Sequence, residues 1–265
     1  MDALQTFKET QKQMWPSFAP LEIMTTAPAA QLVKHSRVRS GQRVLDVACG
    51  TGVVSITAAR LGCKVTGLDL TPELLEHARE NAKIGGFAID FHEGDVEDLP
   101  FPDASYDAVL SQFGHMFAPR PAVALGEMLR VLKPGGTIAF STWPPEMIIG
   151  RRFKLMSGYT QPPPLEIPSP SEWGNPAIVL ERLGASVKDV VFDRGRLQVP
   201  ALSPAHYAAD MEKNSPSIAK AAEKLAATDP DKLVRMRAEV LALAAEYFED
   251  NIVRQDFLMT RATKL

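Results

Sequence analysis

The chain has 265 residues, 45% hydrophobic and 23% charged, with a formal charge of −3 and a pI near 6.0. This composition suits a folded protein with a substantial core, and its slight negative charge gives no bulk attraction to nucleic acid or an anionic membrane. No run of about 18 apolar residues predicts a membrane span, and two cysteines are too few for a disulfide framework or a four-thiolate metal site.

Cys49 and Cys63 lie in apolar runs and read as buried thiols of a reducing compartment. Asp2, Lys8, Glu9 and Lys12 interrupt the first twenty residues where a signal peptide needs an apolar core, so the cytoplasm is the expected location.

Residues 5–35 predict helix, broken at Pro16 and Pro20. From Arg43 strand and helix alternate. A strand over 43–48 precedes a helix over 53–61 with Val54, Ala58 and Leu61 on one face. A strand over 64–68 ends at Asp69. Thr71 then caps a helix that carries Pro72 at its first position and buries Leu74, Leu75, Ala78 and Ala82. Strands follow over 88–92 and 106–111. Leu125, Met128, Leu129 and Leu132 mark the next helix, stopped by Lys133-Pro134-Gly135-Gly136, and a strand over 137–142 follows.

Residues 144–176 are rich in proline, including Pro162, Pro163 and Pro164, and predict an ordered but irregular connection. A helix over 176–183 ends at Gly184, and a strand covers 186–193. Ser203-Pro204 and Asp229-Pro230 open two further helices, the second burying Leu233, Met236, Val240, Leu243 and Tyr247. A last strand over 253–262 would pair with the 186–199 segment. Such alternation predicts an α/β protein, a parallel sheet with helices on both faces, whose ligand lies at the carboxyl ends of the strands where strand order reverses.

The most informative stretch is Val44-Leu45-Asp46-Val47-Ala48-Cys49-Gly50-Thr51-Gly52. It is a buried strand running into a glycine turn, with a helix beginning at Val53. Glycines allow a sharp turn and a close ligand, and the helix start offers unpaired N–H groups. Asp46, four residues before Gly50, would repel a phosphate but suit a ligand with a positive amino group.

The segments V-L-D-V-A-C-G-T-G, V-T-G-L-D, G-D-V-E-D-L-P-F and L-K-P-G-G, in this order, resemble the class I S-adenosylmethionine-dependent methyltransferases. They are most similar to the branch of the ubiquinone and menaquinone biosynthesis methyltransferases. The resemblance covers about residues 36–143. It implies a Rossmann-like three-layer sandwich with a seven-stranded, mostly parallel sheet whose last strand is antiparallel. The whole chain then reads as one domain: a helical cover over 1–35, the cofactor core over 36–143, and remaining strands with helical cover insertions over 144–265.

The resemblance also implies site roles. S-adenosylmethionine would lie with its methionine end against Asp46 and the backbone of Ala48, Gly50, Thr51 and Gly52, with Cys49 packed beneath the loop. Asp69, 17 residues after Gly52, would accept both ribose hydroxyls. Leu70 would pack on the adenine, Asp95 would accept its amino group and the Val96 N–H would serve a ring nitrogen. Ser111 would face the methionine portion or the transfer centre. His115, beyond the fourth strand, is the candidate catalytic base, since a neutral imidazole can deprotonate a hydroxyl or amine.

No Asn- or Asp-Pro-Pro-Tyr follows the fourth strand, no Lys-Asp-Lys-Glu set of the RNA ribose methylators is recognisable, and no acid cluster suggests magnesium. The expected substrate is therefore a small molecule rather than nucleic acid, with no metal. Phe7, Trp15, Phe18, Met147, Phe153, Met156 and Tyr159 favour an apolar or aromatic acceptor. Two other readings remain open. A nicotinamide dinucleotide oxidoreductase would need a third glycine where Ser55 stands, and a non-catalytic binding protein or partner subunit could keep the cofactor pocket alone.

Overall fold

A computed structural model describes residues 2–160 and 165–265; the prolines at 162, 163 and 164 lie outside that range. Helix α1 (Ala3–Met14) is capped by the Asp2 side chain, which accepts from the Gln5 N–H at 2.8 Å. A 3-10 run over Trp15–Leu21 follows, and then α2 (Glu22–Ser36). Pro16 and Pro20, each without an N–H to donate, lie in this run, where the predicted break falls.

The core comprises β1 (Arg43–Val47), α3 (Val53–Arg60), β2 (Lys64–Asp69), α4 (Pro72–Gly85), β3 (Asp90–Glu93), β4 (Tyr106–Gln112), α5 (Pro121–Val131) and β5 (Leu132–Thr142). After it come α6 (Ile148–Ser157), α7 (Pro176–Leu183), β6 (Val187–Pro200), α8 (Pro204–Asn214), α9 (Pro216–Thr228), α10 (Pro230–Ala245), β7 (Phe248–Glu249) and β8 (Ile252–Lys264). The sheet order is β3-β2-β1-β4-β5-β8-β6, with the two-residue β7 paired to β8 off that path. Strands β1 to β5 pair in parallel, and β8 runs antiparallel to both β5 and β6. This is the mostly parallel sheet with a reversed final strand that the resemblance implies.

Period-two alternation divides the core. Val44 joins Ala29, Leu32, Val54 and Ala58 on the α2–α3 face, whereas Leu45 and Val47 join Leu125, Met128 and Leu183 on the α5–α7 face. Asp46 shares the face of Val44, and its carboxylate meets Ser55 on α3 at 2.6 Å.

Several elements differ from expectation. Leu61, predicted to be buried, is the C-cap of α3 and 49% exposed. Helix α5 stops one residue before Leu132, which instead opens β5; the ladder with β4 shifts register between Tyr106 and Ala108. Helix α6 occupies part of the span expected to be irregular. Its N-cap, Met147, makes no side-chain capping bond, so no start signal marked it. Three helices, not two, separate β6 from β7, because Ser215-Pro216 opens α9 between the two expected starts. Tyr247 lies just past α10 and is half-buried. Strand β8 overshoots β5: its pairing with β5 begins at Leu258, so Ile252–Phe257 extend past the carboxyl edge of β5, paired with β6 and, at Ile252 and Val253, with β7.

Candidate active site

Strand order reverses between β1 and β4, where the loops after both strands meet. Ala48 and Phe113 take positive φ (52° and 58°), and a Cβ on Gly114 would lie 2.5 Å from the Ala48 Cβ. Positive φ in non-glycine residues carries strain, and each of the two loops that form the floor of a cavity holds one such residue. Gly50 also has positive φ (54°), and a Cβ there would meet nothing within 4 Å.

That cavity has a volume of about 390 Å³, within the range of small-molecule sites. Asp46, Ala48, Gly50, Thr51, Asp69, Leu70, Asp95 and Val96 line it. The structure therefore brings together most of the residues predicted for cofactor binding.

Two buried acids define one end. Asp46 Oδ2 accepts from Ser55 Oγ, while Oδ1 has no donor, and burial pushes the carboxyl up to about 7. Asp69 accepts from the Gly50 N–H at 2.8 Å and the Thr71 N–H at 2.9 Å, and burial raises its pKa too. An ionised carboxylate has about four lone-pair sites, so Asp69 can accept further donors while holding the loop. Two other cavity-lining oxygens, Gln11 Oε1 and Gln112 Oε1, are also buried without donors. Buried unpaired acceptors are costly. This set suits a ligand rich in donors, with an ammonium for Asp46 and a diol for Asp69.

Asp95 is more committed than expected. Oδ1 accepts from the Glu97 N–H, and Oδ2 takes Lys8 Nζ at 2.5 Å. Lys8 also reaches the buried Glu97, which Arg120 holds from the other side. Helix α1 is thereby tied across the Asp95 side of the cavity.

The structure corrects three expectations. Gly52 caps α3 outside the cavity wall, and a Cβ there would press on Ala78 and Phe91 at 3.2 Å, so its role is packing against α4. Ser111 is fully buried; its Oγ donates to the Val47 carbonyl and accepts from the His115 N–H, tying β4 to β1. His115 is 1% exposed and lies outside the wall, packed against Phe140 and Trp173, each with ring centroids 4.7 Å away. Among the described residues neither ring nitrogen has a partner, and burial lowers its pKa to about 3. Its ring does not line the cavity. Cys49 is buried with Leu75, Ala78 and Phe91 beneath the loop, as the resemblance implied.

Residues 45–140 match the family described as a methyltransferase domain. The demethylmenaquinone methyltransferase of Deinococcus radiodurans is 38% identical over 140 residues, 51% of this chain and 56% of that one. An uncharacterized protein of Mycobacterium tuberculosis is 36% identical over 258 residues, 96% of this chain and 94% of its own length. This chain belongs to the class I S-adenosylmethionine-dependent methyltransferases. Membership sets aside the dinucleotide oxidoreductase alternative. The solved phosphoethanolamine N-methyltransferase 2 of Haemonchus contortus, in complex with S-adenosylmethionine, shares the fold: TM-score 0.55, 18% identity, 90% of this chain and 52% of that one.

The other end of the methyltransferase cavity is apolar. Trp15 meets Phe117 edge-on (centroids 4.8 Å apart), Phe117 meets Phe153, and Phe113 stacks on Trp143 at 3.9 Å. Of the aromatic and methionine candidates, Phe7, Trp15, Phe18 and Phe153 line it, whereas Met147, Met156 and Tyr159 do not. Sequence reasoning missed Lys8, Arg152 and Gln255 as lining residues. A lysine on an amphipathic helix reads as a solvated face, and Arg152 and Gln255 sit on elements that reach the cavity only through the overshoot of β8 and the docking of α6.

Proposed function

We propose that this methyltransferase binds S-adenosylmethionine at the acidic end of the cavity and transfers its methyl group to a small, largely apolar organic acceptor at an O, N or C atom. The carrying observation is the buried Asp46 Oδ1, an acceptor without a donor at the edge of the glycine turn. The cofactor's ammonium would satisfy it, its ribose hydroxyls would use the free lone pairs of Asp69, and its adenine would lie beside Leu70, Asp95 and Val96. When bound, the cofactor supplies a methyl group on a sulfonium whose leaving group is a neutral thioether.

The protein's contribution is positioning and the exclusion of water. The Asp46–Ser55 and Asp69–Gly50 bonds hold the loop before any ligand arrives, and the aromatic wall holds the acceptor for in-line attack. Among the described residues no histidine lines the cavity, and the reading needs no imidazole base. Two buried free thiols and the absence of any helix, among the described residues, long and apolar enough to cross a membrane support a cytoplasmic setting.

Calorimetry with S-adenosylmethionine, S-adenosylhomocysteine and NAD tests the cofactor assignment. Binding of the first two and not of NAD is the expected result. A screen of acceptors with labelled cofactor, read by mass, then tests transfer. Binding of NAD instead, or S-adenosylmethionine binding unaffected by Asp46→Asn, refutes the assignment.

A further inference from the structure

Among the described residues, two cations line the cavity, Lys8 and Arg152. Lys8 is neutralised by Asp95 and Glu97. Arg152 differs: among the described residues it has no carboxylate within 4.0 Å, and its recorded hydrogen bond goes to the neutral hydroxyl of Tyr207 at 3.2 Å. Its neighbour Arg151 points elsewhere and pairs with Glu246. A half-buried guanidinium facing an aromatic cavity without a counter-ion is an unusual arrangement, because burying a charge is costly unless it is paired.

The surroundings hold Arg152 in place. Gln255 Nε2 donates to the same Tyr207 oxygen at 2.8 Å, and Tyr207 and Gln255 are both buried. Both lone pairs of that phenol are thus filled by donors, which fixes the guanidinium while leaving its other N–H groups for a ligand. The group also lies on the side of the cavity away from the acids. Asp46 and Asp69 are on β1 and β2 and Asp95 follows β3, whereas Gln255 is on β8, across β4 and β5. Phe153 beside Arg152 joins the aromatic wall.

We propose that Arg152 receives a carboxylate carried by the methyl acceptor, so that the acceptors of this enzyme are apolar organic acids. The planar guanidinium fork matches a carboxylate in two parallel hydrogen bonds, and the aromatic wall takes the apolar body. Pairing would neutralise the one unpaired cation in the lining. This inference rests on the assignment of the acidic end to S-adenosylmethionine. A carboxylate could also come from the methionine portion of that cofactor, and the test separates the two sources.

The test titrates the full chain, with and without saturating S-adenosylhomocysteine, with pairs of aryl and arylalkyl carboxylates and their uncharged amides, such as 2-naphthoate against 2-naphthamide and 4-phenylbutyrate against 4-phenylbutyramide. Intrinsic tryptophan fluorescence, from Trp15 and Trp143 in the lining and from Trp173, and calorimetry report binding. The expected result is a carboxylate preference of tenfold or more that Arg152→Met abolishes and Arg152→Lys partly keeps, with S-adenosylhomocysteine affinity unchanged within threefold in both variants. Thermal melting confirms that each variant is folded. Equal affinity within each pair, no binding of any carboxylate, or a preference that survives Arg152→Met overturns the proposal. So does a tenfold loss of S-adenosylhomocysteine affinity in Arg152→Met, which would give Arg152 to the cofactor's own carboxylate. Failure of wild-type protein to bind S-adenosylhomocysteine refutes the cofactor assignment instead, and the titration without nucleoside still reads the carboxylate preference.

Discussion

Acidification should weaken cofactor binding through Asp46. Burial lifts this carboxyl from 3.8 to about 7 in the ligand-free protein, so near neutrality it is roughly half protonated. A ligand ammonium at the donorless Oδ1 favours the ionised form. If pairing returns the group to its ordinary value, the difference of about three pH units corresponds to roughly 4 kcal/mol of coupling. Binding therefore releases a proton below pH 7, and affinity climbs by up to tenfold per pH unit between about 4 and 7 before levelling off. The stability of the free protein runs the opposite way. With its folded pKa raised, Asp46 stabilises the free protein fully below pH 3.8, and that contribution is lost as pH rises through 7. The ligand offsets this loss, so the gain in melting temperature on binding grows with pH.

Titration calorimetry of S-adenosylhomocysteine between pH 5 and 8, in buffers of differing ionisation heat, counts the protons released. Asp69 is raised by burial as well, so the decisive quantity is the difference between wild type and Asp46→Asn, whose amide oxygen can still accept from Ser55. A pH slope equal in the two proteins would refute the reasoning.

Asp69→Asn removes charge and one acceptor from the ribose end while keeping the other, and should cost about 1.5–3 kcal/mol of S-adenosylhomocysteine affinity; unchanged affinity would reduce Asp69 to a loop holder. His115→Leu should leave turnover within about threefold of wild type, against the roughly 100-fold loss expected on removing a general base. Its stability should hold or rise, because both ring nitrogens are unpartnered; a loss of turnover near 100-fold would return His115 to the chemistry. Gly114→Ala drives a Cβ to 2.5 Å from Ala48 Cβ and 2.7 Å from its carbonyl oxygen. Overpacking of that kind costs about 1–3 kcal/mol in denaturant unfolding and should also weaken cofactor binding; wild-type values in both assays would show that the two loops are not mutually braced.

The chain's own pattern carried the sheet and the acidic end of the site. Alternating strand and helix periods, Thr71-Pro72 and the glycine turn are local signals, and each depends on residues within a few positions of one another. Asp46 and Asp69 were legible because Asp69 closes β2 and Asp46 stands one residue before the end of β1, and the carboxyl ends of neighbouring parallel strands lie side by side. Packing decided the fates of Ser111 and His115. Both lie at the right place along the chain, yet Ser111 turns inward to the Val47 carbonyl and His115 turns toward Phe140 and Trp173. A position at a strand exit does not specify which side of the loop a side chain takes.

Linear order thus dictates which strands pair and where an acid meets the glycine turn, because those follow from periodicity and backbone stereochemistry. Only the folded chain makes the rest of the cavity wall, since Lys8 and Trp15 at the acidic and aromatic parts and Arg152 and Gln255 on the side away from the acids are brought to it by helix docking and by the overshoot of β8. Contacts between residues so far apart in the chain depend on the shape and burial of everything between them, and no local pattern encodes that.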